Sequence, residues 1–315
     1  MSKFFLGKKR KSNDSTNKPT KIYRYSWPVK VIFLDKGFLE VHTQNRLSIL
    51  AACEDPFNVA TYNYAGQVWP LPQTGQMWLE HELLSKPSSK GFFCVSTSYR
   101  QEPNAIPGRH DIIFPMFEFE MPGDINDLKE MEYELCEYLG MPVAMEKTYR
   151  EWQEHYNIAY TEELNAEHET KMFEEFKATM ITDFPEMTSP FWNMSSHEGG
   201  GTSKKIDVIL GGMETIGSAE RSTDVDQMRD TFHTITDGAY SNLLYELFTK
   251  ERVEAELEEF LKFDFFPRVG GGIGMTRMIA ALEKHAQPEA EVVKSELQLQ
   301  QEESAHNQSA FVGAA

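Results

Sequence analysis

No window of the 315-residue chain approaches eighteen consecutive apolar residues, which excludes a membrane-spanning helix of ordinary length. The N-terminus has no apolar secretory core, so the expectation is a cytoplasmic protein. Cysteine is scarce. Cys53, Cys94 and Cys136 stand far apart with no CxxC pair, which argues against zinc and against a disulfide framework and leaves buried thiols. Positive charge is short too: 31 Lys and Arg face 49 Asp and Glu, a net charge of −18. A surface with that balance does not bind nucleic acid nonspecifically as a whole, because phosphate neutralisation needs cations. There is no internal repeat.

The positive charge that is present is uneven. Residues 1–30 hold nine Lys/Arg against one acid, including "KKRK" at 8–11. That run is a candidate nuclear signal, but the Ser/Asn/Thr-rich "SNDSTNKPT" after it favours a solvated, disordered tail. At the other end, the chain beyond about His285 turns to Gln, Glu, Ala and Ser. The expected organisation is a basic disordered tail over 1–24, one folded domain over 25–286 and a flexible tail over 287–315.

Glycine is concentrated in "RVGGGIGMTRM", residues 268–278, with Arg277 three residues after the last glycine. A glycine-rich turn opening a helix can receive phosphate. No Lys-Ser/Thr follows, however, so this is no Walker loop, and its place near the chain's end does not suit a dinucleotide fingerprint. Close packing accounts for it equally well at this point.

Elsewhere, strands and helices alternate without a βαβ rhythm. "GFFCVSTSYR" (91–100) and "IIFPMFEFEM" (112–121) read as a hairpin with a long tip. "DINDLKEMEYELCEYLG" (124–140) reads as a helix from an Asp cap to a closing glycine. The stretch 147–178 reads as charged and helical, "KIDVILGGMETIG" (205–217) as strand, and 225–235 and 241–263 as helices. These predict an α+β fold, an antiparallel sheet flanked by helices.

Three constellations carry chemistry. In "YRQE", Arg100 and Glu102 alternate and face one side of the sheet; across the loop stand Arg109, His110 and Phe114. A lone Arg–Glu pair is usually a surface pair. A nucleotide site offers more, with Arg on phosphate, Glu accepting from an exocyclic amine and a ring to stack on a base. Asp207 and Glu214, seven residues apart on and just after one strand, suit Mg²⁺ shared with polyphosphate, although two solvated acids would look the same. Arg221 follows seven residues later. In the glycine strand, Gly272 and Gly274 clear space for a flat base, and Arg277 reaches toward a terminal phosphate.

In this order the motifs resemble the catalytic core of the class II aminoacyl-tRNA synthetases, in the asparaginyl/aspartyl branch. That branch includes the related asparagine synthetases that lack the anticodon-binding domain. "GFLEVHT" is similar to the family's first motif, "YRQE…RH…F…EFE" to its second and "GGGIGMTRM" to its third. "LPQTGQMWLE", "ITDFPEMTSPFWNM" and "DVILGGMETIGSAER" match intervening segments, so the resemblance covers about residues 25–285.

The resemblance implies an antiparallel class II sheet and an ATP-dependent, AMP-forming ligase that activates aspartate as an acyl adenylate. It implies that Arg100 holds the α-phosphate, Glu102 the adenine amine, and Arg109 and His110 the outer phosphates. Phe114 and Arg277 would sandwich adenine, and Arg100 and Arg277 would be the catalytic cations. Asp207 and Glu214 would bind Mg²⁺. Glu54 would meet the substrate's amino group with Gln76 beside it, and Arg221 would read its side chain. A homodimer is also implied.

Departures from the pattern shape the expectation. Gln44 replaces the first-motif proline of the dimer contact, Leu79 the aspartyl branch's lysine, and Thr276 the acid before the last arginine. The small hydroxyl at Thr276, the acidic chain and the absence of a preceding anticodon barrel favour ammonia as the acceptor and an aspartate–ammonia ligase. An asparaginyl- or aspartyl-tRNA ligase is the alternative, and a noncatalytic ATP-binding paralogue the third reading.

Overall fold

The computed structural model describes residues 18–43, 47–50, 58–101, 105–106, 108–188 and 191–286. Glu54, Glu102, Gln44, Cys53 and both terminal tails lie outside the described residues. In chain order the elements are α1 (Lys18–Asp35), β1 (Leu39–Glu40), a hairpin of β2 (Thr61–Tyr64) and β3 (Gln67–Pro70), α2 (Gln76–Ser85), β4 (Phe92–Tyr99), β5 (Ile113–Pro122) and α3 (Ile125–Tyr138). There follow β6 (Met145–Thr148), α4 (Tyr149–His155), α5 (Ala166–Phe176), β7 (Ala178–Pro185), β8 (Thr202–Leu210), β9 (Met213–Glu220) and α6 (Val225–Thr234). The last are α7 (Ala239–Phe248), α8 (Lys250–Phe260), β10 (Arg268–Gly274) and α9 over 275–286.

Eight strands form one sheet in the order β1-β4-β5-β10-β9-β8-β7-β6. All pairings from β4 to β7 are antiparallel; β1 on β4 and β6 on β7 are parallel. The expected antiparallel sheet is therefore present, with a parallel strand closing each edge. Period-2 alternation decides its faces. Phe117, Phe119, Val269, Ile273, Ile206, Val208 and Ile216 point to one side, where α1, α3 and α9 cover them through Phe33, Leu128, Leu135 and Met278. The other side is flanked by α2 and by the separate core of α6, α7 and α8 around Trp192, Phe232 and Phe260.

The helix α3 begins as its sequence predicts, with Asp124 accepting from the backbone of Asn126 and Asp127 in a reciprocal capping box. Two expectations needed correction. The 147–178 stretch is not helical throughout: β6 ends at Thr148, and β7 opens at Ala178 inside "ATMITDFP". A four-residue edge strand has too few positions for its alternation to stand out. The 241–263 helix is broken at Thr249, whose φ of 70° no helix accommodates. Among the described residues, no helix is long and apolar enough to cross a membrane.

Candidate active site

The face of the sheet flanked by α2 carries the chemistry, and strand register sets it out in rows. Cys94 pairs with Glu118, Glu118 with Gly272, Gly272 with Gly217, and Gly217 with Asp207. A second row runs Phe92, Glu120, Gly270, Ala219 and Lys205. The glycines belong to the central strand, not to a turn. Gly270, Gly272 and Gly274 all face the site, so β10 forms a bare floor between acidic β5 and the hairpin of β8 and β9. A Cβ at Gly270 would stand 1.6 Å from Glu120 Oε2, and one at Gly272 would stand 2.7 Å from Met116 Cε. Gly271 faces the opposite side, against Ser218.

Over this floor lie two adjoining cavities that share Arg100, Met116, Glu214, Gly217 and Gly272. The first is lined further by Arg109, His110, Phe114, Gly274, Thr276 and Arg277. Arg100 Nε is buried and has no hydrogen-bond partner among the described residues, and its guanidinium carbon lies 5.9 Å from the centre of the Phe114 ring. Arg277 donates to the Glu214 carbonyl at 2.7 Å. Arg109 donates to Glu169 of α5 and, at 3.2 Å, to the Gly212 carbonyl. The same Glu169 oxygen accepts the Glu214 backbone N–H at 3.0 Å, so one acid ties Arg109 to the start of β9.

The second cavity is lined by Gln73, Gln76, Lys205, Arg221, Phe191 and Met194 among others. Arg221 is buried and already engaged: its Nε and Nη2 lie 3.1 and 3.3 Å from the two oxygens of Glu120. Glu80 stands 3.7 Å from the same Nε and takes the buried Arg268 at 2.7 Å. With its amide oxygen turned inward, Gln76 accepts from Arg221 and from Gly271 N–H. Glu118 holds the 73–76 turn onto the sheet, accepting from Thr74, Ser96 and the Gly75 N–H. Burial pushes its carboxyl up to about 7 against those donors. Burial raises Glu120 as well, with Arg221 holding it back.

Asp207 and Glu214 come together differently from their sequence expectation. They sit on two strands joined by Gly211 and Gly212, whose φ values of 64° and 88° make the turn. Val208 pairs with Ile216 but Ile209 with Glu214, so Thr215 is one residue too many. This bulge moves Glu214 from the core face to the site face. As a result a Cβ at Gly217 would lie 2.8 Å from Glu214 Oε1 and 3.5 Å from Asp207 Oδ1. Burial and the neighbouring Glu214 raise the Asp207 carboxyl, against the pull of Lys205.

Of the sequence candidates, Arg100, Arg109, His110, Phe114, Glu214, Gly272, Gly274 and Arg277 line the first cavity. Gln76 and Arg221 line the second. Asp207 borders neither cavity but converges with Glu214 over Gly217, and Glu54 and Glu102 fall outside the described residues. Sequence reasoning missed Glu80, Glu118, Glu120, Glu169, Lys205 and Arg268. For two of them a signal existed: "FEFEM" alternates acids with apolar residues inside a strand too apolar to be exposed.

The chain matches a known family. The model of the class II tRNA synthetases (D, K and N) matches residues 15–287. The chain belongs to it. This member of the class II synthetases resembles the asparaginyl-tRNA synthetase of Pyrococcus horikoshii complexed with asparaginyl-adenylate, at TM-score 0.69 and 19% identity. The match covers 84% of this chain and 64% of that one. The Entamoeba histolytica asparaginyl-tRNA synthetase in complex with asparaginyl-adenylate gives 0.68 and 18%, covering 84% and 65%. The aspartyl-tRNA synthetase of the same organism gives 0.62 and 17%, covering 84% and 56%. The chain thus spans less than two thirds of the length of these enzymes. No curated protein matches it by sequence.

Proposed function

We propose that the protein is an ATP-dependent, AMP-forming ligase that activates aspartate, and that ammonia is the acceptor. The observation that carries the ligase reading is the shared wall of the two cavities. Arg100, Glu214 and Gly217 border both, so a phosphate in one and a carboxylate in the other would meet there.

In this reading the substrate carboxylate attacks the α-phosphorus of ATP, and pyrophosphate leaves. Arg100 takes the α-phosphate through the donor that now lacks a partner. Arg109 and His110 attend the outer phosphates, and Phe114, Arg277, Gly272 and Gly274 enclose adenine with Glu102. Gln76, Arg221 and Glu54 hold the amino acid. No general base is needed, because positioning and charge stabilisation supply the rate.

A magnesium ion fits the residues present. Asp207 Oδ1 is a buried acceptor with no partner, it converges with Glu214 over Gly217, and this ion uses one or two carboxylates with substrate phosphates for the rest. Among the described residues no group of three or more such ligands exists, consistent with an ion completed by ATP. When bound, it neutralises charge on the phosphates.

The acidic chain, at −18, supports ammonia over a polyanionic tRNA as acceptor. One observation favours a second reading. Arg221 paired with Glu120 presents a donor beside an acceptor, the complement of a carboxamide, which suits asparagine and a tRNA-ligase role. Pyrophosphate exchange into ATP with aspartate or asparagine, followed by product analysis with ammonium and with tRNA, separates these readings. No exchange with either amino acid in folded protein overturns the enzyme reading itself.

A further inference from the structure

The second cavity contains a fixed ammonium. Lys205 precedes Asp207 by one strand period, so both project from β8 to the site face. Its Nζ donates to Asp207 Oδ2 at 2.9 Å. The Phe184 ring lies against it, 4.0 Å from centroid to Nζ, and its side chain is only 14% exposed. Asp207 is thereby divided: Oδ2 is taken by the lysine, while Oδ1 is buried without a partner. On the other side of the bare patch, the Arg277 guanidinium stands 3.7 Å from Glu214 Oε2. Two carboxylates thus face two cations. Glu169, the next acid, is paired with Arg109.

We infer that Lys205 is a built-in counter-cation that keeps Asp207 and Glu214 from retaining a divalent ion before nucleotide binds, so that the ion enters with the triphosphate. This rests on the reading of Asp207 and Glu214 as the ion-binding pair. The physical reason is charge balance. With Lys205 and Arg277 in place the pair has no surplus negative charge, and an ammonium bound to one oxygen of a carboxylate repels a dication approaching the other. Magnesium also parts with its water reluctantly, and two carboxylate oxygens alone do not replace its shell. A triphosphate supplies both the missing charge and the missing oxygens. Lys205 is then a positioning residue: it holds Asp207 with Oδ1 toward Glu214.

Manganese binding to the full chain without nucleotide, followed by electron paramagnetic resonance of the free ion, tests this directly. Lys205→Met should bind Mn²⁺ about tenfold or more tightly than the wild type, since the opposing charge a few ångströms away is gone. Lys205→Arg should stay near wild type, and adding Asp207→Asn to Lys205→Met should abolish the gain. Lys205→Gln serves as a second neutral variant, with circular dichroism verifying that each protein is folded. Unchanged or weaker Mn²⁺ binding in the neutral variants overturns the inference, as does a gain that survives Asp207→Asn. The ion-pair reading is checked separately. If pyrophosphate exchange in otherwise wild-type protein is insensitive to Glu214→Gln, that reading fails; if it is lost there while the lysine variants bind Mn²⁺ like wild type, only the role of Lys205 fails.

Discussion

The Arg221 guanidinium shows how far a residue's role depends on its neighbours. Read alone, it is a cation for a substrate carboxylate. In the fold it is bound by Glu120, so removing it does more than change affinity. Arg221→Leu leaves Glu120 buried and uncompensated, and is expected to cost about 3–5 kcal/mol of stability; chemical denaturation measures it. Glu120→Gln is the cleaner probe of selectivity. It keeps shape and removes a negative charge that opposes a carboxylate side chain, so the aspartate-to-asparagine ratio of kcat/KM should rise about tenfold or more. Pyrophosphate exchange with each amino acid gives that ratio, and an unchanged ratio removes Glu120 from side-chain recognition. Glu214 behaves differently. Its side chain is 43% exposed, so Glu214→Gln should leave the melting temperature nearly unchanged while exchange falls by about two orders of magnitude.

At the scale of elements, the strand β10 carries no side chains on one face beyond Arg268. The alternation of Gly270, Gly272 and Gly274 is visible in "GGGIG" once the segment is known to be a strand. Its purpose differs along its length. At Gly270 a methyl would overlap Glu120 at 1.6 Å and approach the Phe119 carbonyl at 2.6 Å, whereas at Gly274 the nearest atom is Arg277 Cδ at 3.6 Å. Gly270→Ala should therefore destabilise the fold by about 3 kcal/mol or more, in the range of severe overpacking. Gly274→Ala should melt near wild type but bind ATP more weakly, because its methyl enters the first cavity, where the proposed function places the nucleotide. Paired thermal melts and nucleotide titrations decide between them. The bulge at Thr215 was not legible at all. Acids seven apart read as neighbours on one strand and its end, and only cross-strand pairing reveals that an extra residue turns Glu214 toward Asp207.

Across the whole molecule, the face of the sheet opposite the candidate site also carries a buried acid. Beneath the site, on the core side, α3 buries Glu132 completely. Burial pushes this carboxyl up to about 8. Its folded value lies above its unfolded one, so its neutral form contributes stability that is full below pH ~4.5 and declines as pH rises toward about 8. Glu132→Gln should flatten that part of the stability–pH curve and be the more stable protein at pH 9, by on the order of a few kcal/mol; urea denaturation across the range measures both. On the outer surface, α1 leaves Tyr23, Trp27 and Leu34 exposed at 64%, 49% and 46%, beside Leu39 at 55%. That apolar strip is a candidate surface for the homodimer that the family resemblance implies. Sedimentation should find a dimer that Trp27→Glu shifts toward monomer.

Composition, motif order and strand alternation were enough to determine the fold class, the family and most of the residues lining the first cavity. They act locally, and a strand's period or a helix cap is written in neighbouring residues. What the tertiary structure alone decided is how distant residues meet. Glu80, Glu120, Arg221 and Arg268 form one buried network although α2, β5, β9 and β10 are far apart in the chain. Lys205 reads from sequence as an ordinary strand lysine, and becomes a cation beside a buried acid only because β8 turns it inward. Register across five strands sets these meetings, and register is a property of pairing between strands that no single strand carries.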